Sequence, residues 1–470
     1  MTRWLKKHWT FWALGAALGL VVLPQSGFAG GFELPDNGAK AMGRGGAYTV
    51  GANDLTALHY NPARLFTQSG SNLMWNHNLV WHDLTFSRAT LSEGWGIEDN
   101  SFESVSDAEN FFAAGGFVAA SSDFGLEDWV FAMGVYGPSS VGKKEYPDYG
   151  PQAFMLTDMD LLLAYYSASM SYQPANDFSV GLTVQWVDLM KMDYSVVVDA
   201  SKVTQPSPLP SPASQHTVAT LQLEDRMNFT AILGVWAALS KNLEVGAAAR
   251  VIPVDLEPQG KVSVDQAGLN PEGLTASAPL TLPIQARGGL RYIHRDDAGG
   301  EQFDIELDVF YENWSVIEDF YVDLDGRING ETTADVVLPR NWTDTISVRL
   351  GSDINTVEDL LTLRVGGYWE NGATPANYEH LDFPSFDRYA ATLGSTLHFG
   401  SVNVTLAYAH IIQEDREVTE EYGKVIQQRP LAQCPDGCDG LTGVVGNAGT
   451  FTSSFQILSL GVEARFSDWF

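Results

Sequence analysis

The residue types that do chemistry are present in this chain, but not in the spacings that chemistry needs. His59, His77 and His82 stand near the start, yet none belongs to a metalloprotease helix pattern. No serine occupies a nucleophile elbow and no glycine run forms a phosphate loop. Asp323-Leu324-Asp325-Gly326 opens like a calcium loop until Arg327 takes a place where a carboxylate or amide is required. The 2 cysteines, Cys434 and Cys438, sit in a glycine-rich stretch. In an exported protein they read as a local disulfide, and they lack the further ligands of tetrahedral zinc. No catalytic residue, metal or cofactor is expected, and the chain reads as a non-enzyme. Four arginines remain. Arg250, Arg287, Arg349 and Arg364 lie inside alternating segments, and the last two fall out of phase with apolar neighbours. Arg349 and Arg364 are therefore candidates to hold a carboxylate head group. The same placement suits pairing with acids such as Glu306, Asp308 or Glu463, and both roles stay open.

The elements that must position these groups read almost everywhere as strands. After residue 70 the apolar period is two: Phe303, Ile305, Leu307 and Val309 alternate with Asp304, Glu306 and Asp308. Short turns at 174–177, 240–242, 294–300, 355–359 and 400–401, with a longer one at 121–128, alternate with long polar loops. Those loops fall near 89–110, 138–153, 200–221, 257–279, 317–341, 371–387 and 413–451. Sorting of connection length by side, with about fourteen strands, predicts an all-β transmembrane antiparallel barrel. Aromatics near segment ends, among them Trp75, Trp129, Tyr172, Trp186 and Trp369, fit interfacial girdles.

Composition agrees. With 27 basic against 58 acidic residues and a net charge of −31, the chain lacks the basic face that nucleic acid demands. A mean hydropathy of −0.08 excludes a polytopic helical protein. Arg3, Lys6 and Lys7 precede the apolar stretch from Trp9 to Leu23, then Gly27-Phe28-Ala29. That order predicts a signal peptide over 1–29, with a short membrane anchor as the alternative, and hence export to the cell outer membrane. Residues 30–70 lose the alternation and gain glycines at 38, 43, 45, 46 and 51. Phe32, Leu34, Tyr48, Leu55 and Tyr60 make this stretch too apolar for a free tail, so it is expected to fill the lumen as a plug, with the barrel over 71–470.

Gly31-Phe32-Glu33-Leu34, Met42-Gly43-Arg44-Gly45-Gly46-Ala47-Tyr48 and Asp54–Ala63, with its Asn61-Pro62-Ala63 element, resemble the plug of the FadL/TodX family. These are outer-membrane transporters of long-chain fatty acids and aromatic hydrocarbons. Trp129–Tyr136, Asn341–Thr345, Leu363–Tyr368 and Pro384–Arg388 extend the likeness along the chain. The resemblance implies a fourteen-stranded monomeric barrel, an N-terminal hatch inside it, and an external apolar capture groove. It further implies release into the membrane through a kink in the third strand.

Phe32, Leu34, Asn61, Pro62 and Ala63 are the candidate ligand contacts in the hatch, although Asn61 equally suits a turn cap before Pro62. The third strand falls near Trp129–Gly137, where Gly134, Gly137 and Pro138 would permit distorted pairing or simply end a strand. The expected partners are a hydrophobic small molecule and outer-membrane lipid or lipopolysaccharide. A surface-binding or adhesion barrel without transport is the alternative, and a lipid hydrolase a third reading.

Overall fold

The computed structural model describes residues 37–89, 103–138, 143–200, 216–265, 269–431 and 445–466. Fourteen long antiparallel strands form a closed ring. They begin with β1 (Ser71–Arg88), β2 (Phe111–Ser122), β3 (Trp129–Tyr136), β4 (Asp158–Ala175) and β5 (Phe178–Asp199). Next come β6 (His216–Ser240), β7 (Leu243–Arg250), β8 (Gln285–Arg295), β9 (Glu301–Glu312) and β10 (Thr345–Val357). The ring is completed by β11 (Leu361–Glu370), β12 (Arg388–Phe399), β13 (Val402–Gln413) and β14 (Gly449–Phe466). The strand β14 returns along the whole of β1, Phe466 opposite Ser71 and Gly449 opposite Arg88. Closure leaves no free end strand in the ring, whose open edge a hydrocarbon environment would punish.

The alternation is inside out relative to a soluble barrel. Along β9, Asp304, Glu306 and Asp308 are buried, while Ile305, Leu307 and Val309 are 46 to 47% exposed. Apolar side chains facing outward all round are what lipid solvates and water does not. Tight connections join β4 to β5, β6 to β7 and β12 to β13 at one end.

At the other end the strands overrun, β5 reaching 22 residues and β6 25. There Gln259–Asp265 pairs with upper β6, and Pro271–Ser277 pairs with both Gln259–Asp265 and Asp319–Ile328. Much of 257–279 and 317–341 is thus strand rather than loop, its polar face hiding the alternation. Asp323 and Asp325 lie in this extended backbone, which does not curl round a cation as a calcium loop does.

Residues 37–65 run inside the ring, every one buried except half-buried Asn53. The short helix α1 (Ala39–Gly43) packs on β11 to β14, and the 3-10 turn Pro62–Thr67 packs on β4 to β6 across the lumen. Between them lies α2 (Ala57–Tyr60). Gly45, at φ +65°, lies against the backbone of Gly367 so closely that a side chain there would have no room.

Candidate functional site

The inner segment is held in the tight-turn half of the lumen by charge. The Arg44 guanidinium meets Asp304 at 2.9 Å, Asp353 at 2.6 Å and Glu306 at 2.9 Å. The backbone N–H groups of Tyr48 and Thr49 both donate to Asp308 at 2.9 Å, and those of Val50 and Gly51 donate to Glu306. Arg291 also meets Asp304, Arg364 meets Asp353 at 3.0 Å, and Lys40 meets Glu463 at 3.0 Å. Buried charge is tolerable only when matched in this way, since each unpaired ion costs several kcal/mol. The result is a polar, densely bonded layer between the inner segment and the wall.

Asn61-Pro62-Ala63 docks on the opposite wall. The Asn61 amide donates to the carbonyls of Thr49 at 2.9 Å and Val235 at 3.0 Å, and its oxygen accepts from Ala63 N–H, capping the 3-10 turn. Ser171 and Ser179 both donate to the Ala63 carbonyl, and Thr183 to that of Leu58. A side chain at Gly181 or Gly234 would collide with this element. The polar groups of Asn61 are thereby occupied in seating the segment.

The candidate arginines lie in the wall and are engaged. Arg349 bonds Ser347 at 2.8 Å and Glu370 at 3.4 Å, and lies over the Phe310 ring at 4.7 Å. Arg287 covers the same ring at 4.5 Å and Tyr60 at 5.3 Å, while Arg250 lies over Tyr165. Arg364 belongs to this charged layer through Asp353 and Thr396. The structure therefore separates Arg349 from Arg364: one lines the aromatic mid-lumen and the other braces the segment. Phe32, Leu34, Cys434, Cys438 and the predicted leader lie outside the described residues.

The third strand is short. Strand β3 pairs with β2 only from Phe117–Tyr136 down to Ser122–Phe131, and with β4 from Tyr136–Tyr165 down to Trp129–Tyr172. Beyond Tyr136, Gly137 and Pro138 are both buried, so the in-out alternation stops there. Among the described residues no ladder bond joins β2 above Phe117 to β4 until Lys144 and Glu145 pair with Met159 and Asp158. A register shift between Asn76 and Asn78 of β1 faces the same region of β2. Phe117, Tyr136, Leu161, Leu163 and Leu58 of α2 belong to one buried apolar cluster there. Gly134 is where Leu58 approaches the wall, since a Cβ at Gly134 would lie 2.9 Å from it.

Beyond the ring, the extended strands line a small apolar cavity partly open to solvent. Met155, Tyr194, Leu221, Val262, Val322 and Leu338 help line it.

Sequence reasoning missed Arg44 as the hub of this charge network, whereas the third strand, expected near Trp129–Gly137, runs from Trp129 to Tyr136. The inward acids of β9 carried a readable signal for Arg44, because charge alternating with Ile, Leu and Val requires an inner partner.

A Pseudomonas aeruginosa FadL homologue superposes with a TM-score of 0.72 at 16% identity, covering 94% of this chain and 100% of its own. The P. putida toluene transporter TodX gives 0.68 at 17% identity, with 93% and 100% covered. The monoaromatic hydrocarbon channel CymD gives 0.62 at 15%, with 93% and 99% covered. At such identities these likenesses speak for the fold. No curated protein sequence matches the chain. The family model for outer membrane protein transport protein (OMPP1/FadL/TodX) matches residues 20–466. The chain belongs to that family of outer-membrane transport barrels.

Proposed function

We propose that the barrel carries hydrophobic small molecules, long-chain fatty acids or related hydrocarbons and aromatics, passively across the outer membrane and releases them sideways into it. The observation that carries this reading is the apolar wall at the end of the third strand, where Phe117, Tyr136, Leu161 and Leu163 cluster, no ladder bond continues among the described residues, and a layer of paired charge lies beneath. A methylene gains about 0.8 kcal/mol on leaving water. A ligand in the lumen would forfeit that gain by entering the aqueous periplasm, and would also have to part Arg44 from its carboxylates. Leaving through an apolar gap exchanges one hydrocarbon neighbourhood for another and meets neither cost. Arg287 and Arg349 over Phe310 offer positive charge to a carboxylate head group at mid-lumen, while neutral aromatics would use the rings alone. The apolar space under the extended strands serves as the capture site, and residues 37–68 serve as the hatch.

The test is uptake of radiolabelled oleate and toluene by a strain lacking the protein, with and without its restoration. Restored uptake of either supports the reading. Unchanged uptake with altered cell attachment favours the surface-binding alternative.

A further inference from the structure

The connection between β11 and β12 ought to be a solvated outer loop, since it carries Glu379, His380 and Asp382 within four positions. Instead residues 379–386, Glu-His-Leu-Asp-Phe-Pro-Ser-Phe, are buried without exception. Leu381, Phe383 and Phe386 join the same apolar cluster that contains Leu58 and Tyr60 of the inner segment, Tyr136 and Leu161 of the wall, and Met155 and Tyr194 of the outer cavity. The peptide therefore belongs to the apolar cluster that also holds residues of the cavity wall and of the inner segment.

Its polar groups are fastened to separate elements. Asp382 pairs with Arg340, meets His380 at 2.8 Å, and accepts from the Tyr194 hydroxyl at 3.1 Å. Lys144 Nζ donates to the Leu381 carbonyl at 3.1 Å, and the Asn447 amide to the Glu379 carbonyl at 3.0 Å. Glu379 Oε2 is buried with no hydrogen-bond partner among the described residues, so the seated form carries a standing cost. Tyr194 is the connecting piece, because it lines the outer cavity and also holds Asp382.

We infer that residues 379–386 are an outer gate, and that a hydrophobic ligand entering the cavity displaces Tyr194 from Asp382 and so unseats them. This rests on the transport reading above. A ligand that removes water from the cavity wall gains apolar contact with Met155 and the Tyr194 ring. Moving that ring breaks a hydrogen bond to a charged group. The gate would keep the lumen shut to polar solutes until a ligand is in place.

The test is labelling of Leu381→Cys by a membrane-impermeant maleimide, in purified full-length protein with Cys434→Ser and Cys438→Ser. Labelling is expected to be slow in detergent alone and faster with oleate. Tyr194→Phe is expected to speed it about tenfold without oleate, the scale set by losing one hydrogen bond to a charged group. Should Tyr194→Phe not give a heat-modifiable barrel, His380→Gln removes a different partner of Asp382 and carries the same expectation. Equal rates with and without oleate, and with and without the latch substitution, overturn the gate. Uptake by cells is read separately, so transport failing and the gate failing give different patterns.

Discussion

His59 Nδ1 of the inner segment lies 3.1 Å from the hydroxyl of Tyr136, the last residue of β3. The same hydroxyl accepts from Gln185 of β5 at 2.6 Å, and the Tyr136 ring packs on Phe117 and Tyr165. One side chain of the inner segment thus touches the last paired residue of the third strand. If hatch and gap act together, Tyr136→Phe should uncouple them while preserving the packing. Uptake should change several-fold with little loss of thermal stability, because a net hydrogen bond contributes only about 1 kcal/mol. Uptake equal to wild type would show that the contact only packs.

Whether the hatch must move is open to a direct lock. A Cβ built at Gly461 of β14 lies 3.4 Å from the Ala39 Cβ, close to the separation a disulfide spans. Ala39→Cys with Gly461→Cys, in a background without Cys434 and Cys438, should form a bridge on oxidation. Oxidised protein is expected to lose uptake and to regain it on reduction. Uptake that ignores the bridge would place the ligand's path wholly beside α1.

Arg44→Met leaves Asp304, Glu306 and Asp353 without their shared cation. Removing one partner of a buried ion pair typically costs about 3–5 kcal/mol. The cost should appear as release of the inner segment rather than loss of the barrel, since β1 and β14 pair without it. Protease sensitivity of residues 37–68, and entry of large polar antibiotics, should both rise while heat-modifiable migration persists. Gly234→Val should act in the same direction through its collision with Asn61.

The outer gate should respond to pH. Burial pushes the Glu379 carboxyl up to about 8, against the opposing pull of Arg416, with Asp382 nearby. Burial also lowers Lys144 to about 8, with Asp107, Asp382 and Glu379 facing it. A raised carboxyl binds its proton more tightly in the seated form, so seating weakens as pH climbs from near 4.5 toward 8. The opening constant should grow by at most about tenfold per unit. The depressed lysine acts oppositely, favouring the seated form as pH rises from about 8 toward 10.5. Burial also holds the His380 imidazole below its usual range, so its protonation favours opening at acid pH, and hydrogen exchange of residues 379–386, corrected for intrinsic rate, should show opening increase between about pH 6.5 and 8. Glu379→Gln should flatten that rise, and an unchanged profile would remove Glu379 from the effect.

Period-two alternation, the order of short and long connections, and the loss of alternation before residue 70 were enough to read a membrane barrel with an inner N-terminal segment. Those features are local: each strand states by itself which face meets lipid, and Asp304, Glu306 and Asp308 beside Ile305, Leu307 and Val309 state it in both directions. What the folded chain alone decided is which polar groups meet. Arg44 finds Asp304 across 260 positions of sequence, and Arg349 and Arg364, alike on paper, end in different places. The strands within 257–279 and 317–341 exist because each supplies the others' hydrogen bonds. Glu379, His380 and Asp382 look solvated in sequence and are buried in fact, because Arg340, Lys144 and Tyr194 arrive from distant parts of the chain to receive them. A side chain's charge is written in the sequence, but the energy of burying it depends on neighbours that only folding brings within reach.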